Sequence, residues 1–131
     1  MPYNVSDKEL AAVLELPSPR RYQYFVKRVA DAETVWSLSG PGGWVLLGDA
    51  EEHVIVPVWP HKRFAAACAS GDCSDNEPRS IPLSEWVKAW LPGIARDDRL
   101  IAVFPTPDSK GPVVSAERLK ADLEEELRNY E

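Results

Sequence analysis

Two runs of unbroken apolarity, each closed by an aromatic-proline step, constrain this fold more than any other feature of the chain. The first lies within residues 53–64 (HVIVPVWPHKRF) and the second is residues 100–105 (LIAVFP). A strand with one wet face alternates polar and apolar residues, whereas a strand buried on both faces reads as a continuous apolar run. Residues 54–59 and 100–104 are therefore expected as central strands. Pro57 has no amide to donate, so its side of the strand must meet a bulge or a gap in the ladder. Trp59 precedes Pro60 and is biased to extended backbone, while Pro60 is suited to open a helix over residues 61–69. The paired exits Trp59-Pro60 and Phe104-Pro105 are expected at one edge of the sheet.

Helices and turns fill the spaces between these strands. Ser6-Asp7-Lys8-Glu9 fits a capping box for a helix reaching about Leu16. Ser18-Pro19 opens a second helix, with Tyr22, Phe25, Val26 and Val29 at the spacing of one buried face. Trp36 and Leu38 read as the end of that helix or as a short strand, and the glycine-rich residues 40–43 as a turn. Residues 44–47 and 54–59 are expected to form an antiparallel hairpin across the polar residues 48–52. Residues 71–80 read as the loosest loop and residues 81–83 as a short extended segment. Ser84 is the expected cap of a helix bearing Trp86, Val87, Trp90 and Leu91, ending at Pro92-Gly93. After a turn over residues 106–110, residues 111–114 return as a short strand. Ser115 then caps a final helix with Ala116, Leu119, Leu123, Leu127 and Tyr130 on one face and acidic residues on the other. This order has too few strand–helix alternations for a doubly wound sheet. It predicts an α+β fold, one domain over residues 1–131 with a mainly antiparallel sheet and flanking helices, divided into an N-terminal helix (1–17) and a main body (18–131).

Composition narrows the functional classes. With 44% apolar residues and five tryptophans among 131 residues, the chain has material for a normal core without a staple. Acidic residues number 21 against 15 basic ones, a formal charge of −6. That balance opposes nucleic acid, whose binding needs a basic footprint. The local exception, Arg20, Arg21, Lys27 and Arg28, reads as a solvated helix face. No cationic start leads into an apolar run, and no window approaches the ~20 apolar residues of a membrane span. A cytoplasmic location is expected, with Cys68 and Cys73 as reduced thiols.

Several separated motifs share one resemblance. They are residues 22–31 (YQYFVKRVAD), residues 56–60 (VPVWP), Ile81-Pro82-Leu83 with Trp86 and Trp90-Leu91-Pro92, residues 103–107 (VFPTP), and residues 122–127 (DLEEEL). In this order, and covering most of the chain from about Arg20 onward, they resemble the uncharacterised bacterial domain-of-unknown-function family 2750. The resemblance implies no activity and no catalytic residue. A weaker likeness, in element order alone, is to SseB-type domains of bacterial accessory proteins; it leans towards a binding role, although fold analogy does not assign function.

The constellations that would carry chemistry are incomplete. His53, His61, Cys68 and Cys73 are the residue types of a zinc site, but the second CxxC or HxxxH pair is absent, and the favoured account packs Cys68 in the helix behind Phe64 and leaves Cys73 in the loop. His61 and Cys68 are seven residues apart, which on a helix separates them by ~10 Å, too far for direct proton transfer. The oxygen-rich residues 72–77 lack the register of a calcium loop, and Gly40, Gly42 and Gly43 lack the ending of a phosphate loop. The tryptophans fit core packing or a partly exposed aromatic surface. The run Asp122, Glu124, Glu125, Glu126 fits a solvated face or a dock for a basic partner.

The expectation is a small cytoplasmic accessory or protein-interaction module, without catalytic residues, cofactor or metal, whose partner is another protein. An immunity-type role against a basic toxin is one concrete version. The alternative is a small-ligand binder or enzyme with a pocket at the ends of the two apolar strands. Trp59, His61, Arg63, Phe104, Thr106, Asp108 and Lys110 are the candidate ligand- or partner-binding residues.

Overall fold

The computed structural model describes residues 6–40, 43–48, 54–67, 76–106 and 112–128. Its first helix, α1 (Asp7–Leu14), starts from Ser6, whose Oγ accepts the Glu9 amide at 3.1 Å. The Glu9 carboxylate accepts from the Tyr24 hydroxyl of α2 (Ser18–Ala32), which fastens the first helix to the second. Pro17 and Pro19 frame the start of α2, and Phe25, Val26 and Val29 form its buried face, with Tyr22 half-buried beside them. Each such side chain contributes about 1.5–3 kcal/mol on removal from water.

Trp36 and Leu38 belong to a strand, β1 (Thr34–Gly40). It pairs antiparallel with β5 (Glu77–Pro82), from Thr34↔Pro82 to Ser39↔Glu77. Residues 77–80, expected as loop, are thus part of a ladder. The prolines misled because their phase is not visible in the sequence. Leu83 donates to Glu33 at 2.9 Å, which places Pro78 and Pro82 at positions facing away from β1, where an edge strand loses no ladder bond to proline.

The single strand expected over residues 44–47 is instead two pieces that join different sheets. β2 (Gly43–Trp44) pairs with the end of β1, and β3 (Leu47–Gly48) pairs antiparallel with β4 (Val54–Val58). Gly43, at φ 98°, supplies the left-handed backbone that the return from β1 requires. β6 (Leu100–Val103) lies parallel to β4 in the register Val58↔Val103, and β7 (Val113–Val114) closes the sheet antiparallel to β6. The orders are β2-β1-β5 and β3-β4-β6-β7. The fold is α+β, and β4–β6 is the one parallel contact among these pairings. As their continuous apolarity predicts, β4 beyond Val54 and β6 beyond Leu100 are buried.

The two sheets meet at Trp36 and Trp59, whose amides and carbonyls exchange hydrogen bonds of 2.9 and 2.8 Å. Pro57 explains itself here. Its carbonyl faces away from β6 and accepts the buried Ser37 hydroxyl at 2.7 Å, so β1 covers the gap in the ladder with a side chain.

α3 (Lys62–Ala67) follows the exit of β4, as expected from Pro60. The tryptophan helix departs from expectation at both ends. α4 (Leu83–Glu85) begins directly behind Pro82 with no side-chain cap, so Ser84 is inside the helix. Pro92 does not end it either. A π-helical turn (Trp86–Trp90) intervenes, Leu91 donates to Trp86 five residues back, and α5 (Leu91–Arg96) carries Pro92 in its first turn. Proline has no amide to place there, and the wider turn relieves the clash with the preceding carbonyl. Finally α6 (Ala116–Arg128) starts from Ser115, whose Oγ accepts the Arg118 amide at 3.2 Å, and buries Ala116, Leu119 and Leu123. Trp59, Trp86, Phe25, Phe64 and Phe104 are the largest fully buried side chains, and all five belong to one core cluster. Among the described residues no helix is long and apolar enough to cross a membrane.

Candidate functional site

The parallel register of β4 and β6 brings both aromatic-proline exits to the same end of the sheet. Phe104 donates its amide to Val58 at 2.8 Å, and the Trp59 indole donates to the Pro105 carbonyl at 2.8 Å. Both rings are core, at 2% and 0% exposure, and therefore offer no accessible surface. Phe104 sits at φ 59°, a costly conformation for a bulky residue. Its carbonyl accepts from Arg21 Nε at 3.3 Å, while the same guanidinium donates to Leu16 O and to Ser18 Oγ. Arg21 is 4% exposed. The expectation of a solvated Arg20, Arg21, Lys27, Arg28 face therefore fails at Arg21, because its several donors serve the Phe104 carbonyl at the exit of β6 and the Leu16 carbonyl between α1 and α2.

The polar residues at these exits point to separate tasks. His61 is buried; its Nδ1 accepts the Arg63 amide at 3.1 Å and its carbonyl accepts from Phe64 and Ala65, so it caps α3. Arg63 pairs with Asp7 of α1 at the surface. Thr106 is half-buried. Asp108 and Lys110 lie outside the described residues, as do His53, Cys68 and Cys73 of the zinc combination. Among the described residues no three potential metal ligands cluster. Trp59, His61, Arg63, Phe104 and Thr106 line none of four clefts among the described residues. Among the described residues the strand ends form a hydrogen-bonded core junction, and the rest of the pocket expected there, with Asp108 and Lys110, lies outside them.

The largest of these four clefts has a different lining. It is an open groove of about 650 Å³ between α2 and α6, with β7 along one side. Tyr22 stands at its centre and donates its hydroxyl to Asp122. Arg118 lies over the Tyr22 ring at 5.7 Å and pairs with Asp122 at 3.8 Å. Burial is the main cause holding the Tyr22 phenol well above its ordinary ionisation range, reinforced by the hydrogen bond and negative charge of Asp122 and opposed by Arg118. The Tyr22 hydroxyl is a donor to Asp122 at neutral pH, as any phenol is, and burial carries that state to higher pH. Glu125 and Glu126 continue the acidic wall, and Lys27 stands among the lining residues from α2. The sequence marked Tyr22 as core and residues 122–126 as an acidic run. Arg118 and Asp122, one helical turn apart, were the overlooked sign that this face is organised.

A second cleft, of about 470 Å³, is bounded by Trp44, Leu46, Trp90, Ile94, Asp97 and Arg99. Trp90 stacks on Trp86 at 5.7 Å and meets Trp44 edge-to-face at 4.8 Å. Trp86 is fully buried, whereas Trp36, Trp44 and Trp90 are half-buried against the core, so packing accounts for most of the aromatic surface.

Fold and groove define a small α+β domain that presents a charged channel between two helices and a sheet edge. Residues 22–123 match the family model described as protein of unknown function (DUF2750), and the chain belongs to that family. No match to a curated protein is found.

Proposed function

We propose that the protein is a non-enzymatic interaction module that receives a basic partner protein in the groove between α2, β7 and α6. The observation that carries this reading is the groove's wall. Asp122, Glu125 and Glu126 line it from one helix, and of its two cations Arg118 is engaged by Asp122 while Lys27 stands on α2. The chain's charge of −6 adds long-range attraction for a basic partner. Tyr22, kept protonated, suits binding better than proton transfer. Trp59 and Phe104 act indirectly: the Phe104 carbonyl holds Arg21, and Arg21 belongs to the turn of α2 that carries Tyr22. An immunity-type role, in which the partner is a basic toxin, is the concrete version of this function, exercised in the cytoplasm.

Affinity purification from the native host tests the proposal. The wild-type chain should retain a stoichiometric basic protein, and Glu125→Lys with Glu126→Lys should lose it while folding normally. Recovery of no stoichiometric partner, or equal recovery by both chains, contradicts it.

A further inference from the structure

The groove has a backbone wall as well as an acidic one. Among the described residues β7 is the last strand of its sheet, and the phase of its pairing follows from two observations. Val103 donates to the Pro112 carbonyl at 2.9 Å, and Ile101 stands opposite Val114. In an antiparallel pair, alternate residues turn their amide and carbonyl to the partner strand and away from it. Residues 112 and 114 therefore face β6. The N–H and C=O of Val113 point off the free edge, and Val113 lines the groove with its side chain 40% exposed.

From this we infer that the partner enters the groove as an extended segment with alternating basic side chains, adding a strand to β7 at Val113. The inference rests on the groove being the partner site and specifies how that site is read. Strand addition satisfies the outward amide and carbonyl of Val113 with main-chain groups of any sequence. Specificity then comes from side chains. In an extended segment alternate residues share one face, so a lysine or arginine at every second position turns toward the groove, where Glu125 and Glu126 neutralise it. The residues between them turn to the opposite face of the added strand and are small or β-branched, as strand positions favour. A natural edge is normally blunted by a charge, a proline or a cover. β7 is short and follows Pro112, so the edge it offers is confined to Val113, and among the described residues nothing pairs with the outward groups of Val113.

The test uses the full chain labelled with 15N and a short capped synthetic peptide of alternating valine and lysine. A valine–glutamate peptide and a helical alanine–lysine peptide serve as comparisons. The valine–lysine peptide should shift and protect the Val113 amide and move Glu125 and Glu126 resonances, whereas the other two should bind at least about tenfold more weakly. Val113→Pro removes the outward amide without removing a bond to β6, and should weaken the valine–lysine peptide about tenfold with an unchanged circular dichroism spectrum. Binding of that peptide with no change at Val113, or preferred binding of the helical peptide, overturns strand addition while leaving the acidic groove as the partner site. No response of any groove residue to either lysine peptide overturns both. Val113 protection that grows with protein concentration in the absence of peptide also overturns the inference, because the edge then pairs with a second copy.

Discussion

Tyr22 and Arg21 are neighbours in sequence with opposite fates, and the groove depends on both. Arg21 turns inward to the carbonyls of Phe104 and Leu16, where removing its guanidinium would leave buried acceptors without donors. Tyr22 turns outward to Asp122 and Arg118. The phenol's raised ionisation has a definite sign. The unfolded chain loses this proton near pH 10, the ordinary tyrosine value, whereas the folded chain keeps it to higher pH. The contribution to stability is therefore fully present below about pH 10 and is lost as pH rises above it. Urea midpoints followed across this range should fall more steeply for the wild-type chain than for Tyr22→Phe. Parallel curves for the two proteins would show that Tyr22 is not held as described.

Among the elements, β1 carries the most unexpected weight. It pairs with β5 along most of its length, starts β2, and reaches β4 through the Trp36–Trp59 bridge. Ser37 makes the crossing workable, because its hydroxyl serves the Pro57 carbonyl at a position where no strand continues. Ser37→Ala should cost about 1–3 kcal/mol, the penalty for a buried acceptor left without a donor. The check is a lowered urea midpoint with an unchanged slope. A change below about 0.5 kcal/mol, the range of a neutral surface substitution, would mean that the carbonyl finds another donor.

At the scale of the whole molecule, legibility followed the range of the interactions. Caps at Ser6 and Ser115, the face of α2 and the double burial of β4 and β6 are local or periodic signals, and each was readable from residues close in sequence. The α+β class followed from their order. What the sequence hid depends on distant partners. The phase of Pro78 and Pro82 is set by β1, the inward turn of Arg21 by a carbonyl 83 residues away, and the passage of Pro92 by a π-turn that composition does not announce. The site shows the same division. The sequence paired the aromatic-proline exits correctly in space, but their burial and the separate partners of His61 and Arg63 are tertiary facts. The groove combines α2 with β7 and α6, regions about a hundred residues apart, and Tyr22 with Asp122 spans that distance in one hydrogen bond.

The central claim is a location, and amide-exchange footprinting of the chain with its captured partner measures that location most directly. Protection should fall on the groove-facing turns of α2 from Ser18 to Lys27, on Val113 and Val114, and on α6 from Arg118 to Glu126. Protection confined to His61, Arg63 and Thr106 at the strand exits, or to the Trp44–Trp90 cleft, would contradict it.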